Sequence, residues 1–238
     1  MNTVKPSLSL FTLIRDLGHL IFPEKCLNCS SELSSNEKHI CFLCSSSLSL
    51  TSFHRFNEAT EMDKLFWGRV PIHSTYAHLF FEKGKSSQNI LFSLKYRNNK
   101  AIGNYFGKEI GKHLLEMASF QEVDAIVPVP LHPKKEFIRG YNQSRALAEG
   151  ISISMKIPIR EKVVIRKKHS ASQTKQSRFD RWDNVQSTFT ITSNVSKYQH
   201  LLLIDDVVTT GSTLESIAQK IKLVSPKTKI SIATLAIA

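Results

Sequence analysis

Residues 200–214, His-Leu-Leu-Leu-Ile-Asp-Asp-Val-Val-Thr-Thr-Gly-Ser-Thr-Leu, constrain this chain more than any other stretch. The apolar run Leu201 to Ile204 is short and unbroken, which suits a strand buried on both faces of a parallel sheet. It stops at two adjacent acids, Asp205 and Asp206. In open α/β folds that position is the sheet's carboxyl edge, where ligands bind. Thr209, Thr210, Gly211, Ser212 and Thr213 follow and open a helical pattern. Unpaired N–H groups at a helix start, with hydroxyls beside them, can wrap a phosphate, and the helix dipole favours its charge. Gly211 allows close approach or a positive φ. Acids suited to sugar hydroxyls or a metal thus stand next to donors suited to a phosphate, the combination a phosphorylated sugar needs. A strand, a turn and a capped helix with solvated acids is the plain alternative, but the full pattern is far more specific than a Thr-Gly turn.

A second constraint lies near the start. The four cysteines of the chain are Cys26, Cys29, Cys41 and Cys44, two Cys-x-x-Cys pairs separated by eleven residues. Each pair can present two thiolates to one ion, and two pairs complete a tetrahedral zinc site with no open position, hence a structural one. Two disulfides, or a redox pair, are the alternatives. They fit less well, because the chain reads as cytoplasmic and the pairs sit among serines rather than at a strand-to-helix junction. So short a segment depends on its metal to fold. His39 is an alternative ligand that four thiolates make unnecessary, and it reads as a surface residue.

At 238 residues with 41% hydrophobic content, the chain is long enough for one sizeable core plus a small appendage. The formal net charge is +12, and residues 134–181 hold thirteen Lys and Arg against four acids. Such a face suits a polyphosphate or a nucleic acid, and a solvated basic surface equally. No apolar span reaches transmembrane length, and the stretch 8–22, interrupted by Arg15, Asp16 and His19, reads as an amphipathic helix and not a signal peptide.

Residues 45–66 read as a linker. A strand is expected over 72–81, then helices over 86–97 and 100–118, the second with Ile102, Phe106, Ile110, Leu114 and Met117 on one face. Lys95, Tyr96 and Arg97 end the first of these helices; they could face a ligand cleft, but read better as a solvated helix end. Val123–Val129 reads as a buried strand, ended by prolines. A loop carrying His132, Lys134, Lys135 and Arg139 follows, then a helix to about Ile153. Residues 162–166 form a short strand. Lys167 to Arg178 has no apolar periodicity and reads as a flexible basic loop, the kind that can close over a ligand. Val185–Ile191 is a further strand, 212–223 a helix and 229–236 the last strand. Phe137 and Tyr141 read as packing residues.

The blocks Cys26/Cys29/Cys41/Cys44, Val127-Pro-Val-Pro-Leu-His-Pro133 with Arg139-Gly-Tyr-Asn-Gln143, and the Asp205-Asp206 motif together resemble the ComF family of phosphoribosyltransferase-like competence proteins. Gln173 with Arg178 through Asn184 matches the family's middle block. The resemblance implies a zinc-ribbon-like module (1–55) followed by a type I phosphoribosyltransferase domain (56–238), an α/β fold with a mostly parallel central sheet flanked by helices. It implies phosphoribosyl pyrophosphate (PRPP) with magnesium as ligand. Asp205 and Asp206 would hold the ribose hydroxyls and Thr209 to Thr213 the 5-phosphate. The pyrophosphate would meet His132, Lys134 and Arg139, with Lys175 and Arg178 of the basic loop closing over it. Thr209 stands where the purine-salvage relatives carry an acid, which weighs against hypoxanthine or guanine as acceptor. A link to natural transformation is implied as well. A related phosphorylated sugar or nucleotide is an alternative ligand. The other expectation is a non-catalytic sensor, or a factor that binds single-stranded DNA or a competence helicase. Phe137, Tyr141, Phe179 and Trp182 interleaved with cations would serve single-strand binding.

Overall fold

The computed structural model describes residues 24–56, 58–96, 99–166 and 188–238. They fall into two compact units, the first ending at Leu48 and the second running Ser49–Ala238. The expected helix over 8–22 lies outside the described residues. So do the loop 167–178 and the start of the strand expected at 185.

The first unit is built from tight turns. Antiparallel bridges pair Lys25 with Glu32 and Lys38 with Ile40, and a short helix, α1 (Phe42–Ser46), begins at Cys41. The Glu37 carboxylate ties the turns together, accepting from the N–H groups of Ser34 (2.7 Å) and Phe42 (2.5 Å). Apart from cysteines, its buried apolar side chains among the described residues are Leu33 and Ile40.

In the second unit the elements after the entry segment are α2 (Glu61–Lys64), β1 (Ser74–Phe80), α3 (Ser86–Tyr96), α4 (Lys100–Glu116), β2 (Ala125–Pro128), α5 (Pro133–Arg139), α6 (Gln143–Met155), β3 (Val164–Arg166), β4 (Phe189–Ile191), β5 (His200–Val208), α7 (Ser212–Val224) and β6 (Lys229–Ile237). The main sheet has the order β1-β6-β5-β2 with every pair parallel. β3 and β4 form a separate antiparallel pair. This is the expected α/β class with a parallel central sheet, and the run Leu201–Ile204 is fully buried inside it.

Two expectations are corrected. Residues 45–66 are no linker in the second unit's part. Leu50 bridges to Leu79 at the outer edge of β1, and Phe53, Met62 and Phe66 are buried. The serines that suggested a linker cluster before Thr51, whereas the apolar side chains after it cover an otherwise open sheet edge. α2 carries a capping box between Thr60 and Asp63. The segment 130–139 is also no loop but ends in a helix. Pro133 occupies its first turn, the His132 ring accepts from Lys134 N, and Gly140 closes it at φ 75°.

The helices α4 and α6 lie almost backbone to backbone. A Cβ on Gly107 would strike the Leu147 carbonyl and come within 3.0 Å of the Gly150 Cα. This contact presents the start of α6 to the carboxyl end of β5, where the acids are.

Candidate functional site

β2 pairs with β5 only as far as Pro128, opposite Ile204. Val129 N still donates to Ile204 O (2.9 Å), but Pro130 has no N–H to continue the ladder. β6 runs on beside β5 to Val208, opposite Ile237. Asp205 and Asp206 therefore lie inside β5, three and two residues before its end at Val208, with a neighbour strand on one side and a crevice on the other. The strand outlasts its apolar run because β6 continues to pair with it.

Successive strand side chains diverge, and the two acids meet different partners. Asp205 Oδ1 accepts from Ser144 Oγ at 3.0 Å and from the Asp206 N–H at 2.9 Å. Asp206 Oδ2 lies 3.2 Å from Lys95 Nζ. Asp205 is pushed up to about 7, first by burial and then by the Asp206 charge; the Asp206 N–H, the Ser144 hydroxyl and Lys95 oppose this. Ser144 is buried at the start of α6. The approach to it is held by Asn142, whose side chain caps α6 by accepting from Ser144 N (3.0 Å) and donates to Val129 O (3.0 Å).

A hollow of about 70 Å³ is lined by Asp205 and by residues 207–214. The loop turns at Gly211 (φ 73°), the residue before α7, and no side chain caps that helix start. Ser212 N reaches only Thr210 Oγ1, at 3.5 Å, and first-turn N–H groups have no intrahelical acceptor. Thr210 and Ser212 share a hydroxyl contact of 2.8 Å at the rim. From the other side Arg69 donates to Thr210 O (2.8 Å) and forms an ion pair with Glu215. The Phe66 ring would lie 3.0 Å from a Cβ on Gly211. The motif is therefore braced by the segment before β1, whose contribution sequence reasoning missed, since a long-range contact across more than 140 residues leaves no local pattern.

The predicted residues are only partly gathered. Asp205 and Thr209 to Thr213 share the hollow, and Asp206 faces Lys95. His132 caps α5. Lys134 is exposed on that helix. Arg139 donates to Gln143 Oε1 (2.8 Å), with its guanidinium 5.6 Å from the centre of the Tyr96 ring. Lys175 and Arg178 lie outside the described residues. Tyr141 is buried, as expected, and its hydroxyl donates to Leu94 O. Phe137 is not a packing residue: it is 90% exposed on α5, with Ile138 beside it at 77%. A helix of seven residues seated by its caps alone leaves that face outward. Lys95 is not solvated as expected but held on Asp206. Arg166 was not singled out by sequence; its Nε is buried without a partner among the described residues, and its guanidinium sits 5.2 Å from the Phe189 ring centre.

In the first unit the four cysteine sulfurs lie within 4.8 Å of one another, and His39 is not among them. Cys29 Sγ and Cys41 Sγ are 3.7 Å apart. Four sulfurs about 2.3 Å from a tetrahedral zinc stand about 3.8 Å from each other, so the cluster has the right size. Cys41 N donates to Cys26 Sγ and Asn28 Nδ2 to Cys44 Sγ, both at 3.3 Å. Cys29 is drawn down to about 6, chiefly by the Ser31 hydroxyl and N–H. A cluster of free thiols with donors aimed at sulfur fits a thiolate-bound metal, and zinc suits it.

The model of the phosphoribosyl transferase domain matches residues 142–237, from the cap of α6 through β6. Competence protein F of Haemophilus influenzae is 38% identical over 101 residues, 42% of this chain and 44% of that protein. The DNA utilization protein YhgH of Escherichia coli is 26% identical over 84% of this chain and 91% of its own. Competence protein ComFC of Bacillus subtilis is 27% identical over 82% of this chain and 76% of its own. The chain is similar to ComF-type competence proteins and carries a phosphoribosyl transferase-like domain. Among solved structures, the glutamine PRPP amidotransferase of B. subtilis aligns with 60% of this chain and 30% of its own, at TM-score 0.44 and 16% identity, a likeness too slight to carry an argument.

Proposed function

We propose that the second unit binds PRPP with magnesium and transfers its phosphoribosyl group to an acceptor, in a protein linked to natural competence and DNA uptake. The observation that supports this best is that Asp205 and an uncapped helix start border one hollow of about 70 Å³. In this reading Asp205 and Asp206 take the ribose hydroxyls. Thr209, Thr210, Gly211, Ser212 and Thr213 surround the 5-phosphate, and His132, Lys134 and Arg139 face the pyrophosphate. Carboxylate oxygens are the hard donors magnesium prefers, so the acid pair fits the ion, which would neutralise the diphosphate when bound. The protein's part is to position the donor and to set cations where charge develops on the leaving group. Among the described residues no helix is long and apolar enough to cross a membrane, which agrees with a cytoplasmic protein.

A second reading, a sensor or a single-strand-binding competence factor, is favoured by one feature. Tyr96 is 60% exposed and Phe137 90%, with the cations Lys134, Lys135 and Arg139 flanking Phe137 in sequence. Aromatics among cations suit stacked bases.

Calorimetric titration of PRPP with magnesium, beside an Asp205→Ala/Asp206→Ala variant, tests the first reading. Binding that the variant loses supports it. Absence of binding to the zinc-loaded protein overturns it. Single-stranded DNA binding that weakens steeply with salt would then favour the second.

A further inference from the structure

The acid pair carries a cation that its own motif does not supply. Lys95, in the last turn of α3, places Nζ 3.2 Å from Asp206 Oδ2, with the lysine side chain 22% and the aspartate side chain 13% exposed. The backbone beneath this lysine is fixed. Tyr141 OH holds Leu94 O, and Arg139 lies over the neighbouring Tyr96 ring. The ammonium stands at the end of a flexible four-carbon stem, so it can move while its Cα stays in place. Asp205 has a partner of another kind, the neutral Ser144 hydroxyl. The two acids are thus held unequally: one by a hydroxyl that keeps it in place, the other by a charge that a ligand must displace.

We propose that Lys95 is a substrate-binding residue that exchanges partners. In the ligand-free site it neutralises Asp206. When vicinal hydroxyls of a ribose take that carboxylate, the freed ammonium turns to the diphosphate of the same ligand. The proposal rests on the PRPP reading and adds to it a residue that the motif does not contain. Its chemistry follows from charge. An ammonium released in a half-buried cleft needs an anion, since a partly desolvated charge is costly unpaired, and a diphosphate is the anion PRPP brings. A ligand with the sugar and 5-phosphate but no diphosphate displaces Lys95 without giving it a new partner.

The test compares PRPP with ribose 5-phosphate, both with magnesium, on the full zinc-loaded protein and on Lys95→Met, which keeps most of the stem and removes the charge. The expected result is a ten- to hundredfold loss of PRPP affinity, with ribose 5-phosphate affinity unchanged or raised a few-fold. Equal loss for both ligands, or no loss for either, would overturn the role of Lys95 and leave the PRPP reading standing. If the wild-type protein binds neither ligand, the PRPP reading falls and this proposal with it. Amine labelling of the wild-type protein gives an answer independent of the variant's folding. Lys95 should react faster with ribose 5-phosphate present and slower with PRPP present. The same rate under both conditions would count against the exchange.

Discussion

Asp205 is an acid kept where an acid is expensive. Burial and the neighbouring carboxylate push it up to about 7 from an ordinary 3.8. Between those values the folded chain holds more protons than the unfolded one, so stability falls as pH rises through the window, and the cost is complete above about 7. One pKa unit corresponds to about 1.4 kcal/mol. Because the residue is only half-buried and faces Lys95 across the pair, we discount the shift to about 1–2 kcal/mol. Asp205→Asn keeps an acceptor for Ser144 and removes the charge. It is expected to raise Tm by about 2–8 °C at pH 8 and to leave it nearly unchanged near pH 4, as thermal melts across that range would record. An equal shift at both ends would mean that the charge is not the cause. The identity of this residue was legible in the sequence, since a run of apolar residues ending in two acids is a local pattern. Its partners were not: Ser144 and Lys95 come from other elements, and one of them had the look of a solvated helix end.

The helical elements carry the site by close contact rather than by large side chains. The apolar face of α4 was readable, with Ile102, Phe106, Ile110 and Leu114 all buried, although the helix stops at Glu116 and leaves Met117 at its cap. Gly103, Gly107 and Gly111, one turn apart, were the unread signal. They lie against Ala146, Leu147, Gly150 and Ser154 of α6, and that contact sets how far α6 reaches toward the acids. Gly107→Ala puts a methyl group against a backbone carbonyl that cannot step aside. Overpacking of this kind costs about 1–3 kcal/mol, so Tm should drop by about 2–12 °C. PRPP affinity should fall as well, if α6 is pushed away from β5. A variant with wild-type Tm would show that the helices can separate freely.

At the scale of the whole molecule the two units are stabilised differently. The second buries apolar strands on both faces. Among the described residues of the first, the buried apolar side chains beside its cysteines are Leu33 and Ile40. Metal binding at such a four-cysteine site is folding free energy for the turns around it. One zinc per chain is expected by elemental analysis. Removing it with a chelator should abolish hydrogen-exchange protection at the backbone N–H groups of Cys26, Leu27 and Leu33, which are bonded within the turns. Retained protection after the zinc is gone would show that the turns hold without it.

What the sequence determined by itself was whatever is written in adjacent residues. That includes the buried parallel strand, the acids after it, the glycine turn into a helix and the two Cys-x-x-Cys turns. Each is a pattern within fifteen residues, and backbone geometry alone makes it readable. Only the tertiary structure decided what those patterns touch. Arg69 and Phe66 brace the phosphate-loop candidate from a segment that looked like the continuation of a linker. Lys95 meets Asp206, and Pro130 opens the crevice by ending β2 opposite Ile204. α5 is a helix because His132, Pro133 and Gly140 supply its ends, and its Phe137 faces outward because none of the described residues packs over it. These outcomes depend on which distant segments fill the space around the sheet. That is a question of shape and burial across the whole chain, and no local spacing encodes it.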